Sequence, residues 1–180
     1  MVSVSEGTDQ LEIRQNRFLS TGDAKAEEDL TTWWIPLGMK SGPELTAENP
    51  RALISSTDTI RGIGKDSFYK INKDLSGFYR TNYSPDRLKR LGQSLELLST
   101  EDKIGMIGDA AALAVSGEGS TAALLSLLQG FKDENNYLSV ACSFFSEIRI
   151  SWLLTYFIEC GLKSRPQSAI FGLYSRRMKL

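Results

Sequence analysis

Four stretches of the chain hold the residue types from which a binding or catalytic site is usually assembled. RGIGKDS, residues 61–67, sets glycines beside a lysine, and backbone N–H groups around glycines can cradle a phosphate. The spacing does not complete a phosphate loop: Thr59 stands where the first glycine belongs, and Asp66 stands where a hydroxyl must reach Mg²⁺. A turn between two strands is the expected role. RLKR, residues 87–90, offers three cations to a phosphate backbone, but the near-neutral charge of the chain makes it an exposed helix face. The carboxylates of AEEDL, residues 26–30, lie in a polar loop with no apolar pocket to raise a pKa, so paired acid–base work is not expected of them. Trp33, Trp34, Phe78 and Tyr79 have the rings for a ligand-stacking platform. Large aromatics dominate buried area, however, and these are read as packing a core and its contact with neighbouring domains. Arg80, set among them, is expected in a structural ion pair.

The 180 residues include no histidine. That removes the Ser-His-Asp and Cys-His nucleophiles, the HExxH zinc grip and the usual general base of neutral pH. No catalytic, cofactor-binding or metal-ligating residue is therefore assigned, and no cofactor is expected on this chain. Cys142 and Cys160 are too few for a disulfide framework and too far apart for a metal-ligand pair. With a formal net charge of −1, the chain has no electrostatic reason to seek nucleic acid, and no membrane association is expected. The first ten residues lack the basic and apolar regions of a secretory signal, so a cytoplasmic setting is expected.

The elements that would carry these residues can be read from periodicity. Residues 1–10 are polar and predict a disordered terminus. LEIRQNRFL, from Leu11, alternates as a strand, with a bulge near Gln15 or Asn16 letting Phe18 point inward. TTWWIPL, residues 31–37, turns Trp33, Ile35 and Leu37 toward a core, and Pro36 demands an edge or a bulge. RALISST and DSFYKI add two short strands, and NKDLSG, residues 72–77, reads as a hairpin turn. Together they predict a small β-sandwich over residues 11–83.

At Ser84 the chemistry changes to that of helices. Ser84 suits an N-cap, Pro85 the first helical position, and Leu88, Leu91 and Leu95 come next at helical spacing. Ser99 and Asp102 make a capping box for a second helix that Gly117 stops. A third starts near Ser120, with Leu124, Leu127, Leu128 and Phe131 on one stripe. The class is α+β by segregated segments, an antiparallel helical array occupying residues 84–138. No Gly/Ser linker separates the halves, so they are expected to pack rigidly. Residues 139–180 are apolar and then basic. Their longest uncharged run, Ile150 to Ile158, falls well short of the roughly 20 residues that span a bilayer.

Four landmarks now stand in order: QNRFL at 15–19, WWIPL at 33–37, GFYRTNYS at 77–84 and LSTEDKIGMIGDAAALAVSG at 98–117. Over residues 10–138 this order resembles the HExxH-type zinc aminopeptidases, in their puromycin-sensitive and alanine/arginine branch. The resemblance implies a β-sandwich domain that comes after the catalytic domain, and then the first helices of the C-terminal helical domain. It implies a parent activity, the zinc-assisted removal of N-terminal residues from peptides. The family's zinc ligands, two histidines four apart plus a later glutamate, have no counterpart here, and neither does its Gly-Ala-Met-Glu-Asn loop. Its catalytic tyrosine belongs to the upstream domain, so Tyr79 and Tyr83 do not inherit that role. The resemblance therefore implies a non-catalytic fragment, a scaffold partnered by the catalytic domain of an aminopeptidase, with zinc and peptide substrate only in the parent. The alternative is a stand-alone interaction module whose partner is another protein. Residues 139–180 are expected to leave the family pattern, as a lost reading frame or splice would make them.

Overall fold

The computed structural model describes residues 1–21, 31–41 and 52–134. Its strands are β1 (Val2–Glu6), β2 (Gln10–Gln15), β3 (Ile35–Pro36), β4 (Lys40–Ser41), β5 (Ala52–Leu53), β6 (Thr57–Arg61), β7 (Tyr69–Lys70) and β8 (Thr81–Asn82). Its helices are α1 (Pro85–Gly92), α2 (Thr100–Ser116) and α3 (Thr121–Gln129). One four-stranded sheet has the order β6-β2-β1-β8, and two-stranded ribbons join β3 to β5 and β4 to β7. The class is α+β, as expected.

The first strand corrects the expectation of a disordered terminus over residues 1–10. Valine recurs at every second position of VSVSE, so a strand turns Val2 and Val4 to one side, where both are buried with Leu11, Ile13 and Ile60. Strand β1 pairs antiparallel with β2, Val4 opposite Ile13, and parallel with β8, Val2 opposite Thr81. The terminal ammonium donates to the Asn16 carbonyl at 2.7 Å and closes the end of the hairpin. Two valines on one face, Val2 and Val4, outweigh the polar composition that suggested fraying.

Strand β2 ends at Gln15, whose side chain turns into the core instead of forming the anticipated bulge. Phe18 is half-buried beneath the Arg80 guanidinium, whose carbon lies 5.0 Å from the ring centre. Ile35 and Leu37 face the core as read, and Pro36 lies on the exposed side of a ribbon. Trp33 does not join them: it is exposed, because the chain becomes regular only at Ile35.

NKDLSG is not a hairpin turn. Strand β7 takes β4 as its partner, and residues 72–77 form a tight 3-10 turn over Lys73–Leu75 that reaches toward α2. Asn72, Asp74 and Leu75 all hold positive φ, at 60°, 54° and 54°. Asn72 makes that tolerable, since its amide donates to the Gly77 and Tyr79 carbonyls at 3.1 Å each and accepts from the Gly77 N–H at 2.7 Å. Gly105 of α2 leaves room for Leu75, whose Cδ1 lies 2.5 Å from where a Cβ would be built.

The helix signals hold. Ser84 Oγ accepts from the Arg87 N–H at 3.2 Å, Pro85 opens α1, and Leu88 and Leu91 are buried; Leu95 falls instead in a separate 3-10 turn. Both halves of the Ser99–Asp102 capping box are formed, and Gly117 stops α2 at φ 88°. Ser120 caps α3, and Leu124, Leu127, Leu128 and Phe131 are buried together. One continuous core runs from Val2 to Phe131, so Ser84 marks a change of element inside a shared interior.

Helices α1 and α3 approach closely at their C-terminal ends. A Cβ on Gly130 would fall 2.1 Å from the Gly92 carbonyl oxygen, so Gly130→Ala is expected to destabilise by about 1–3 kcal/mol. Gly108, on the exposed face of α2, would meet nothing within 4 Å, so Gly108→Ala is expected to stabilise by about 0.5–1 kcal/mol. Urea midpoints that shift in opposite directions are the result to look for.

Candidate functional site

Strands β4 and β7 pair so that Lys40 stands directly opposite Lys70. Like charges in that position repel, and both side chains are buried. The compensating group comes from the first turn of α2. Asp102 is 0% exposed and divides its carboxylate, with Oδ2 at 2.9 Å from Lys40 Nζ and Oδ1 at 2.6 Å from Lys70 Nζ. Oδ1 also accepts the Asp74 N–H at 2.7 Å, while Lys70 donates further to the Asn72 carbonyl. Burial lowers the Lys70 ammonium below its usual range, with Asp102 opposing the shift. For Asp102 burial acts upward, but Lys70, Lys40 and the Asp74 N–H outweigh it and hold the carboxyl below the usual carboxylate range.

A second buried pair sits where strands give way to helices. Arg87 of α1 is 2% exposed and donates from Nε to Glu6 Oε1 at 2.6 Å. Its other nitrogens donate to the Ser67 and Lys65 carbonyls at 2.8 Å each, and its guanidinium carbon lies 4.0 Å from the Tyr69 ring centre. Glu6 also accepts from Tyr69 OH at 2.7 Å and from Ser84 Oγ at 3.1 Å. Burial raises the Tyr69 and Tyr83 phenols, and Tyr83 OH is committed between the Ile71 N–H at 2.9 Å and the Ile71 carbonyl at 3.2 Å.

Asp109 of α2 completes the junction. It accepts from the Thr81 N–H at 2.9 Å and pairs with Arg80 at 3.2 Å, the ion pair expected of Arg80. Burial pushes its carboxyl up to about 6. The bond to Thr81 also occupies a backbone donor of β8, the edge strand of the four-stranded sheet.

These groups hold elements together, and the space enclosed among them is small. A chamber of about 10 Å³ lies among Lys70, Asn72, Thr81, Tyr83 and Asp109, far below the several hundred cubic ångströms of a ligand pocket. A groove of about 360 Å³ runs past Pro85, Leu88, Ala110 and Leu113, but among the described residues Tyr83 and Glu118 are the only titratable ones along it. Zinc does not fit the described residues. The chain has no histidine, and among the described residues no three Cys, Asp or Glu side chains are grouped to hold a metal ion.

The stretches with chemical potential in the sequence meet different outcomes. RGIGKDS forms the turn between β6 and β7, and its Lys65 and Ser67 carbonyls point at Arg87, the reverse of an N–H cradle for phosphate. In RLKR, Lys89 and Arg90 are exposed, but Arg87 is not; the exposed-face reading fails there because Glu6 and two carbonyls satisfy the guanidinium inside. Tyr79 donates to the Leu37 carbonyl at 2.6 Å, whereas Trp33, Trp34 and Phe78 are exposed and stand outside the core of the described residues. AEEDL, Cys142, Cys160 and the apolar tail lie outside the described residues. Lys40, Lys70 and Glu6 carried no signal, since their partners are 62, 32 and 81 residues away.

Asp102→Ala leaves the buried Lys40 and Lys70 ammonium groups facing each other with only the half-exposed Asp74, 3.5 Å from Lys40, as a counter-charge, and a loss of about 3–5 kcal/mol in denaturant unfolding is expected. Asp109 carries a pH signature of opposite sign to that of Asp102. Its carboxyl is raised from 3.8 to about 6, so its contribution to stability is full below 3.8 and is lost as pH rises through about 6. Asp102, held low, contributes above the ordinary carboxylate pKa and loses its contribution as pH falls through its own. Asp109→Asn is expected to flatten the stability profile between about pH 4 and 6 and leave the more acidic limb unchanged, as read by thermal unfolding across that range.

Residues 68–163 match the family described as the ERAP1-like C-terminal domain. The match continues past Leu138, so the departure from the family expected at residue 139 does not hold over 139–163. Aminopeptidase 2 of Candida albicans is 40% identical over 141 residues, which cover 77% of this chain and 15% of that protein. Alanine/arginine aminopeptidase of Saccharomyces cerevisiae is 37% identical over 138 residues, 77% of this chain and 16% of its own length. Aminopeptidase M1-C of Oryza sativa is 32% identical over 148 residues, 76% and 16% respectively. The chain spans about one sixth of the length of the curated relatives it matches. By sequence it belongs to the aminopeptidase family that carries the ERAP1-like C-terminal domain.

Proposed function

We propose that this chain is the non-catalytic scaffold of a zinc aminopeptidase, a small β-sandwich leading into an antiparallel helical array that braces the catalytic domain. The parent removes N-terminal residues from peptides in the cytosol, and zinc and substrate are held elsewhere in it. The observation that carries this reading is the use to which the buried charges are put. Asp102, Glu6 and Asp109 each turn a carboxylate onto cations or backbone N–H groups of another element, in an interior with no histidine. Such pairs fix the angle between sheet and helices, which is what a brace requires. No helix among the described residues is long and apolar enough to cross a membrane.

A second reading, an independent interaction module, is favoured by the exposed Trp34 and Phe78. Two measurements divide the possibilities. The purified chain, supplied with equimolar zinc, is expected to release no chromogen from an aminoacyl-p-nitroanilide above buffer and to retain no stoichiometric zinc. Immobilised, it is expected to recover a polypeptide bearing the HExxH motif. Turnover with bound zinc overturns the scaffold reading, and recovery of a different stable partner replaces it with the second.

A further inference from the structure

Thr81 is 4% exposed, and among the described residues its hydroxyl oxygen is the one buried side-chain atom that finds no hydrogen-bond partner. A buried hydroxyl in that state is costly, and native interiors seldom keep one. Thr81 lies on the wall of the chamber of about 10 Å³, with Lys70, Asn72, Tyr83 and Asp109 as its other polar neighbours there. That is about the room one water-sized sphere occupies.

The polar groups on the wall differ in what they have left to offer. Tyr83 OH both donates and accepts at Ile71, and the Asn72 side chain is taken up by Gly77 and Tyr79. Lys70 Nζ carries three N–H donors and uses two, on Asp102 and on the Asn72 carbonyl. Each Asp109 oxygen accepts one bond, Oδ1 from Arg80 and Oδ2 from the Thr81 N–H, and keeps a second lone pair. A spare donor, spare acceptors and a hydroxyl able to act as either therefore border the same small space.

We infer that this chamber is a binding site for a single water molecule, which accepts from Lys70 Nζ, donates to Asp109 and shares a hydrogen bond with Thr81 Oγ1. Charge excludes other occupants of that size: a monovalent cation would face the Lys70 ammonium, and a halide would face the Asp109 carboxylate. Three bonds are the usual complement of an internal water. Asp102 and Asp109 stand two turns apart on α2, the first holding Lys70 and the second holding Arg80 and the edge strand β8. The water joins these two clusters into one network, so the β4–β7 ribbon, β8 and α2 are tied together. The site is independent of the scaffold reading.

A high-resolution crystal structure of the full chain reads the site directly. A water oxygen within about 2.7–3.2 Å of Thr81 Oγ1, Lys70 Nζ and an Asp109 oxygen is expected. Thr81→Val gives a second, independent measurement, since it keeps the shape of the side chain, suits a strand and removes only the hydroxyl. Removing a hydroxyl that had no partner would stabilise the chain. Removing one that bonds the water leaves that water short of a partner, and the folded-to-unfolded ratio in urea is expected to fall about tenfold. A dry chamber, a water that reaches Thr81 but not both Lys70 and Asp109, or a Thr81→Val chain as stable as wild type or more so overturns the site.

Discussion

Two ammonium groups placed opposite each other in a buried two-stranded ribbon would drive it apart without a charge between them. Asp102 is that charge. It reaches Lys40 and Lys70 at once, takes the Asp74 N–H, and belongs to the capping box that starts α2. Helix α2 cannot therefore shift relative to β4 and β7 without uncovering two cations. Nor can the strained turn at Lys73–Leu75 relax without giving up the bond from Asp74. A residue whose local task is to cap a helix is, in three dimensions, the point at which ribbon, turn and helix meet.

Glu6 and Arg87 repeat the principle at the other end of the junction. The carboxylate closes the first strand, the guanidinium opens the first helix, and the carbonyls of the RGIGKDS turn fill the remaining donors. Charge-assisted bonds of this kind are directional, so they set orientation where hydrophobic burial sets only proximity. Two such anchors about one continuous core account for sheets and helices that share an interior with no linker between them. Asp109 is the weaker third point. Burial brings its titration up to about 6, so its hold on Thr81 and Arg80 changes with acidity in a range where that of Asp102 persists.

An interior so committed to its own connections has little left for chemistry on a substrate. By sequence the chain belongs to an aminopeptidase family and spans about a sixth of the length of its relatives. At the surface, Trp34 and Ile54 stand in the open, and the buried Gln15 amide holds the backbone at Trp33.

Where a cause is local, the sequence by itself determined the outcome. The caps at Ser84, Ser99 and Ser120, the stop at Gly117, the stripe from Leu124 to Phe131 and the α+β class all depend on residues within a few positions of one another. The lack of histidine likewise closes off whole classes of catalysis from composition alone. Where the deciding partner is distant along the chain, only the tertiary structure could answer. Arg87 reads as one of three surface cations until Glu6 is brought to it, Val2 and Val4 read as a frayed end until Leu11, Ile13 and Ile60 supply a face, and NKDLSG reads as a hairpin until β7 pairs with β4. Trp33 and Phe78 read as core by size alone, and what exposes them is the geometry of the surrounding backbone. Electrostatic and packing energies depend on distance in space, and a linear sequence records distance only along the chain.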